Sequence, residues 1–224
     1  MKRIIVGVAL LWLAAVSMPG QTNDKMAEAA ANAAALKQYQ WKSRTEIQKD
    51  GEIKNVQVVL MRYDSNGQLQ KTPVSGTPEP DLPKFGLRKR IAQKKLKEFR
   101  ERVQDLGALA KSYSELTPEQ MQRLMANASL TAERSQQQKL VRIEGQNVLH
   151  AGDSMTMWID PISRKQRRIE IQTILEGKPV RIVSEFQDIP NGGPTYMSLS
   201  RVNYNGGDVV IVTENFDYAR VQVG

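Results

Sequence analysis

The chain of 224 residues has no cysteine and one histidine, His150. Without cysteine there is no disulfide, no iron–sulfur cluster, no thiolate zinc site and no lipid-modified N-terminal cysteine. A single imidazole leaves no transition-metal cluster and only one imidazole base for any serine nucleophile. Glycine-rich phosphate loops are missing as well: neither GxxxxGK[ST] nor GxGxxG occurs, and Asn191-Gly192-Gly193-Pro194 reads as a turn. Long apolar runs are also absent. The longest, Ile4–Val16 (IIVGVALLWLAAV), has thirteen residues, short of the roughly 20 that span a bilayer. Lys2 and Arg3 precede it and Ser17-Met18-Pro19-Gly20 follow, which is the layout of a secretory signal peptide over residues 1–20. Cleavage after Ser17 suits the small residues Ala15 and Ser17, with Gly20 as the looser alternative.

The remaining chain, 21–224, is long enough to bury one core without cross-links and reads as a single domain. Its charge is uneven. Removing Lys2 and Arg3 lowers the formal net charge from +8 to +6. Residues 84–112 alone hold ten basic side chains against three acidic ones, so the rest is close to neutral. A basic helix is the usual footprint of a nucleic-acid binder, but export argues against that partner. An anionic membrane surface is the alternative, contacted through Arg88, Lys89, Arg90, Lys94, Lys95 and Lys97. The plain alternative is a solvated polar face that only aids solubility.

The pattern of residues divides the chain into helix, strands, helices and strands again. The Ala-rich stretch after Asn23 and Asp24 predicts a helix over about 24–37. From Trp41 the period becomes two, and Lys49-Asp50-Gly51-Glu52 and Asp64-Ser65-Asn66-Gly67 are hairpin turns, so about three strands lie near 40–73. Residues 73–83, PVSGTPEPDLP, read as an extended connection. Beyond it, Leu96, Phe99, Val103, Leu106 and Tyr113 form one stripe of a long amphipathic helix. A second helix starts with Thr117 as N-cap, Pro118 at its first position and Gln120 completing a capping box, and ends near Asn127. The helical insertion thus covers about 84–127. From about 139 onward six strands alternate with tight turns. About nine strands in all form a sheet large enough to curl or close.

Gly152-Asp153-Ser154 poses a specific question, because it resembles the nucleophile block of the GDSL esterases. A nucleophilic serine needs a base within hydrogen-bond reach, and His150 would lie roughly 13 Å away along an extended chain. The surroundings give a simpler reading. Met155, Met157 and Ile159 alternate with Ser154, Thr156 and Trp158, and Ile169 and Ile171, then Val180, Ile182 and Phe186, continue the apolar face on the next strands. Ser154 is therefore an alternation residue of a sheet. No catalytic residue, metal site or cofactor is assigned, and the chain is expected not to be an enzyme. The residues that would line an open apolar face are Met155, Met157, Ile159, Ile169, Ile171, Ile182 and Phe186. The other reading of the same residues is closed core.

Trp158-Ile159-Asp160-Pro161 followed by Arg168-Ile169-Glu170, and the Tyr196–Tyr204 strand, lie in this order of helix, strands, helical insertion and meander. Together they resemble the LolA/LolB-type periplasmic lipoprotein-carrier superfamily, which also includes RseB-type envelope-stress regulators. The resemblance implies an α+β fold: a large curved antiparallel sheet, or half-open β-barrel, around an N-terminal helix, here with the helical insertion packed as a lid. It further implies a periplasmic carrier of lipid or lipoprotein acyl chains. The alternative is a non-catalytic sensor or scaffold that binds an envelope protein partner. The long basic helix departs from the pattern of the sorting carriers. On this reading N-terminal sequencing of the exported protein should start near Met18 or Gln21, and intact Met1 in a membrane pellet would contradict cleavage.

Overall fold

Alternation of apolar and polar residues, broken by Asx-Gly turns, builds a single ten-stranded antiparallel sheet. The structure, a computed structural model, describes residues 30–78, 86–134 and 139–221. The expected signal peptide and the start of the expected first helix lie outside these residues. Helix α1 occupies residues 30–36 and leads into β1 (Tyr39–Lys49), β2 (Glu52–Tyr63) and β3 (Leu69–Gly76). Helices α2 (Gly86–Ser114) and α3 (Pro118–Ala126) follow, then β4 (Ser129–Arg134) and β5 (Lys139–Gln146). The chain continues through β6 (Ser154–Ile159), β7 (Gln166–Leu175), β8 (Lys178–Asp188), β9 (Thr195–Tyr204) and β10 (Val209–Arg220).

The strand order is β3-β2-β1-β10-β9-β8-β7-β6-β5-β4. The first and last strands pair in the middle of the sheet, Ile47 opposite Ile211 and Thr45 opposite Thr213, so both termini of the meander are sealed against each other. Two strands differ from expectation. The sheet has ten strands rather than about nine, because 129–134 forms β4, a hairpin partner of β5. That segment, SLTAER, is too short and too polar to alternate visibly, and only pairing with β5 makes it a strand. Likewise β3 runs through Pro73 to Gly76, where the proline-rich connection was expected to have begun. An outermost strand tolerates this, since proline's missing N–H need not pair on the free side.

Turn chemistry sets the register. Asp50 and Gly51, with φ of 53° and 80°, supply the two left-handed residues of a tight hairpin between β1 and β2, and Glu176 and Gly177 do the same between β7 and β8 with φ of 49° and 74°. On the outer face charged residues pair in water. Arg142 and Arg168 flank the Trp158 ring at 6.0 and 5.2 Å, on facing positions of β5, β6 and β7. Glu170 accepts from Arg168 at 3.2 Å and Arg181 at 2.8 Å.

The connection from β3 to β4 must travel from one edge of the sheet to the other. Ten flat strands measure about 43 Å across, and the 29 residues of α2 reach about the same distance. The sheet curls around this helix. On the edge strand β3, Lys71 is partly buried and held below its ordinary pKa, first by burial and second by the charge of Lys111 in the last turn of α2. The capping box of α3 forms as expected: Gln120 N donates to Thr117 Oγ1 at 3.2 Å, and Thr117 N donates to Gln120 Oε1 at 2.7 Å. Helix α3 then lies so close to β5 that a Cβ on Gly145 would collide with Leu124 Cδ1 and meet Leu124 O at 3.1 Å. Gly145→Ala should therefore cost about 1–3 kcal/mol of stability, measured by urea unfolding with an unchanged m-value.

Candidate functional site

The side chains that face the helices come from alternate positions of β5 to β10. Ile143, Met155, Met157, Ile169, Ile171, Val180, Ile182, Val202 and Ile211 pack with Val103, Leu106, Tyr113, Leu116, Met121 and Leu124 in one apolar cluster. Of the residues expected to line an apolar face, Met155, Met157, Ile169, Ile171 and Ile182 are brought together here and are 0–3% exposed. Ile159 and Phe186 are partly buried at the cluster's margin. The helical insertion lies over this face as a lid, and its own stripe fills the concavity. Two methionines at the centre make the surface adaptable, because an unbranched thioether repacks with little strain.

The lid is tied down by a buried polar group. Tyr113, in the last turn of α2, donates its hydroxyl to Asp153 Oδ2 at 2.5 Å and lies 2.9 Å from Thr173 Oγ1. The Asp153 carboxylate also accepts three backbone N–H groups, from Val148 at 2.6 Å and from Leu149 and His150 at 2.9 Å. Burial pulls its pKa up, but these donors, Tyr113 foremost, outweigh it and hold the group below its ordinary value. Burial, with the adjacent Asp153 charge, pushes the Tyr113 phenol up and keeps it protonated. A second tie sits one strand pair away, where Arg102 hydrogen-bonds Tyr204 and pairs with Glu176. The chemistry of Gly152-Asp153-Ser154 therefore lies in its aspartate, which anchors a helix, and His150 contributes a backbone amide. Sequence reading missed this role, because the partner tyrosine is 40 residues upstream.

A different set of side chains occupies the other end of the concave face. Leu36 of α1 packs with Tyr39, Ile189, Tyr196 and Tyr218. Trp41 stacks on Tyr218 with centroids 5.5 Å apart and planes 7° from parallel. Asn32 fastens α1 to β9 by donating to Thr195 O at 2.9 Å and accepting from Thr195 N at 2.7 Å. Between the two apolar clusters runs a belt of small polar residues, one or two per strand: Ser43 and Thr45 on β1, Thr213 and Asn215 on β10, Ser200 on β9 and Ser184 on β8. Thr45 and Thr213 hydroxyls lie 3.5 Å apart, and Ser184 donates to Ser200 at 3.1 Å. Within and beside the belt, Asn215 Oδ1 and the Trp41 indole N–H are buried with no hydrogen-bond partner among the described residues. Buried polar atoms without partners are uncommon in folded proteins. The aromatic cluster and this belt were not singled out in the sequence. Alternation marks Trp41 and Ser43 as sharing a face, but not which residues of distant β9 and β10 complete it.

Arg88, Lys89, Arg90, Lys94, Lys95 and Lys97 all lie on the first half of α2, before the helix reaches the core at Phe99. Among the described residues no helix is long and apolar enough to cross a membrane. Nor do three or more His, Asp or Glu side chains among them gather as a metal site. No family model and no curated protein matches the sequence. Two solved structures are similar to it. One is a LolA superfamily protein from Nitrosomonas europaea, 9% identical, with 87% of this chain and 94% of that one covered at a TM-score of 0.36. The other is a DUF1329 family protein from Desulfovibrio piger, also 9% identical, with the same coverage and a TM-score of 0.35. The strand order and the enclosed helices themselves define the fold here as a half-open antiparallel barrel closed by its own insertion.

The Tyr113–Asp153–Thr173 group yields a direct expectation. Asp153→Asn should destabilise by about 2–3 kcal/mol and Tyr113→Phe by about 1–2 kcal/mol. A carboxyl whose pKa is lowered in the fold stabilises above its ordinary value of 3.8 and loses that contribution as pH falls below it. Thermal unfolding followed from pH 7 to about 2 should therefore show a shallower acid decline in Asp153→Asn than in the wild type.

Proposed function

We propose that the protein is a periplasmic binding protein or carrier for lipid or lipoprotein acyl chains, in a closed state with its helical insertion in the ligand's place. The observation that carries this reading is the nature of the cover. The apolar concave face is filled by one continuous segment, α2–α3, strung between the two free edges of the sheet, packed through Val103, Leu106, Leu116, Met121 and Leu124, and tied by polar contacts of Tyr113 and Arg102. An amphipathic helix presents the same apolar surface that an acyl chain would, so exchanging one for the other exposes no new sheet to water. Met155, Met157, Ile159, Ile169, Ile171, Ile182 and Phe186 would then contact the chain. The belt of Ser43, Thr45, Ser184, Ser200, Thr213 and Asn215 offers hydrogen bonds to a polar end.

A second reading, a non-catalytic sensor or scaffold for an envelope protein partner, is favoured by the near-complete burial of that same face, since a filled barrel has its outer surface and edges left for recognition. Displacement of a fluorescent long-chain fatty acid separates the two. Wild type should bind, Met157→Glu at least about tenfold more weakly, and the outer-face change Gln172→Glu as well as wild type. Tyr113→Phe keeps the face apolar while loosening the lid, and should bind more tightly than wild type. Equal binding by wild type and Met157→Glu, or no gain in Tyr113→Phe, would rule out the concave face as the ligand site. Absence of binding in every variant would favour the scaffold.

A further inference from the structure

Helix α2 has two halves with different surroundings. From Phe99 onward its residues join the core, with Val103, Leu106 and Tyr113 no more than 1% exposed. The half from Gly86 to Glu98 contributes no residue to either apolar cluster, yet it holds two large exposed aliphatic side chains, Leu87 at 73% and Ile91 at 49%. They are one turn apart and so share a face. At 3.6 residues per turn this face lies roughly 100° around the helix from the core stripe, so the pair sits on the flank of the helix, open to solvent. Arg90 and Lys94 flank it on one side and Arg88 and Lys95 on the other, all exposed. Glu98 approaches Lys94 at 3.9 Å and Glu101 approaches Lys97 at 3.7 Å.

We infer that this overhanging half of α2 docks on an anionic phospholipid surface, with Leu87 and Ile91 inserted among the acyl chains and the flanking basic residues on the headgroups. A stripe of aliphatic residues bounded by lysine and arginine is the arrangement that lies in a bilayer interface: the charges draw the helix to anionic lipid and the apolar side chains anchor it. Nucleic acid or an acidic polypeptide would use the charges and leave two exposed aliphatic side chains with nothing to meet. The aliphatic pair therefore takes the surface beyond simple electrostatic adsorption through the basic side chains. The inference stands apart from what the concave face holds.

Co-sedimentation of the chain lacking residues 1–20 with vesicles of phosphatidylglycerol or phosphatidylcholine tests it. Binding should occur to phosphatidylglycerol only. It should weaken but persist when salt rises from about 50 to 500 mM, a change that shortens the Debye length from roughly 14 to 4 Å. The double variant Leu87→Ser/Ile91→Ser, altered only at exposed positions, should keep its unfolding temperature and lose on the order of tenfold in binding. A Leu87→Trp variant should show an indole emission shifted to the blue and quenched by brominated acyl chains. Equal binding to both vesicle types, or full binding by the double serine variant, would overturn the inference. So would equally strong binding to polyglutamate that is indifferent to the double substitution, which would point instead to an acidic protein partner.

Discussion

The structure depends on one topological constraint: β3 and β4, consecutive strands in the chain, are the opposite edges of a single sheet. The segment joining them lies over the concave face, and an amphipathic helix suits that path, since it satisfies its own backbone while presenting an apolar stripe. The filling of the barrel by the second half of α2 and the closeness of α3 to Gly145 accompany that crossing. So does the placement of β1 beside β10, because a meander whose edges are given to β3 and β4 leaves its first and last strands to pair in the centre.

That arrangement gives α2 two roles along one axis. Its second half is core, held at its end by a carboxylate that three backbone amides and a tyrosine keep ionised in a nearly dry site. Its first half adds no residue to the apolar clusters and carries most of the chain's excess positive charge.

The concave face is chemically graded. Aliphatic and methionine side chains lie under α2 and α3, hydroxyls and Asn215 cross the middle, and aromatic rings gather beside α1. Trp41 and Asn215, buried at 5% and 3% exposure, each carry an atom without a hydrogen-bond partner among the described residues. This grading suits an elongated amphiphile better than a uniform hydrocarbon, and it is what the carrier reading draws on.

Local physics made much of this legible in the residues alone. Two-residue alternation placed Met155, Met157, Ile169, Ile171 and Ile182 on one face, Asx-Gly and Glu-Gly pairs set the hairpins, and Thr117, Pro118 and Gln120 set the start of α3, because each depends on neighbours within a few positions. Alternation records only that a face is apolar, however, and an apolar strand reads the same whether it meets a ligand or a helix. What covers the face was decided by tertiary contact, as was the strand character of 129–134, which exists only as a partner of β5. Asp153 shows the same limit from the other side. Its neighbours suggested a serine motif, while its function comes from Tyr113 and Thr173, brought within hydrogen-bond distance from far along the chain. Side chains that act through distant partners leave no periodic trace, and for that reason the lid's anchor, the aromatic cluster and the outward turn of Leu87 and Ile91 emerged only from the folded arrangement.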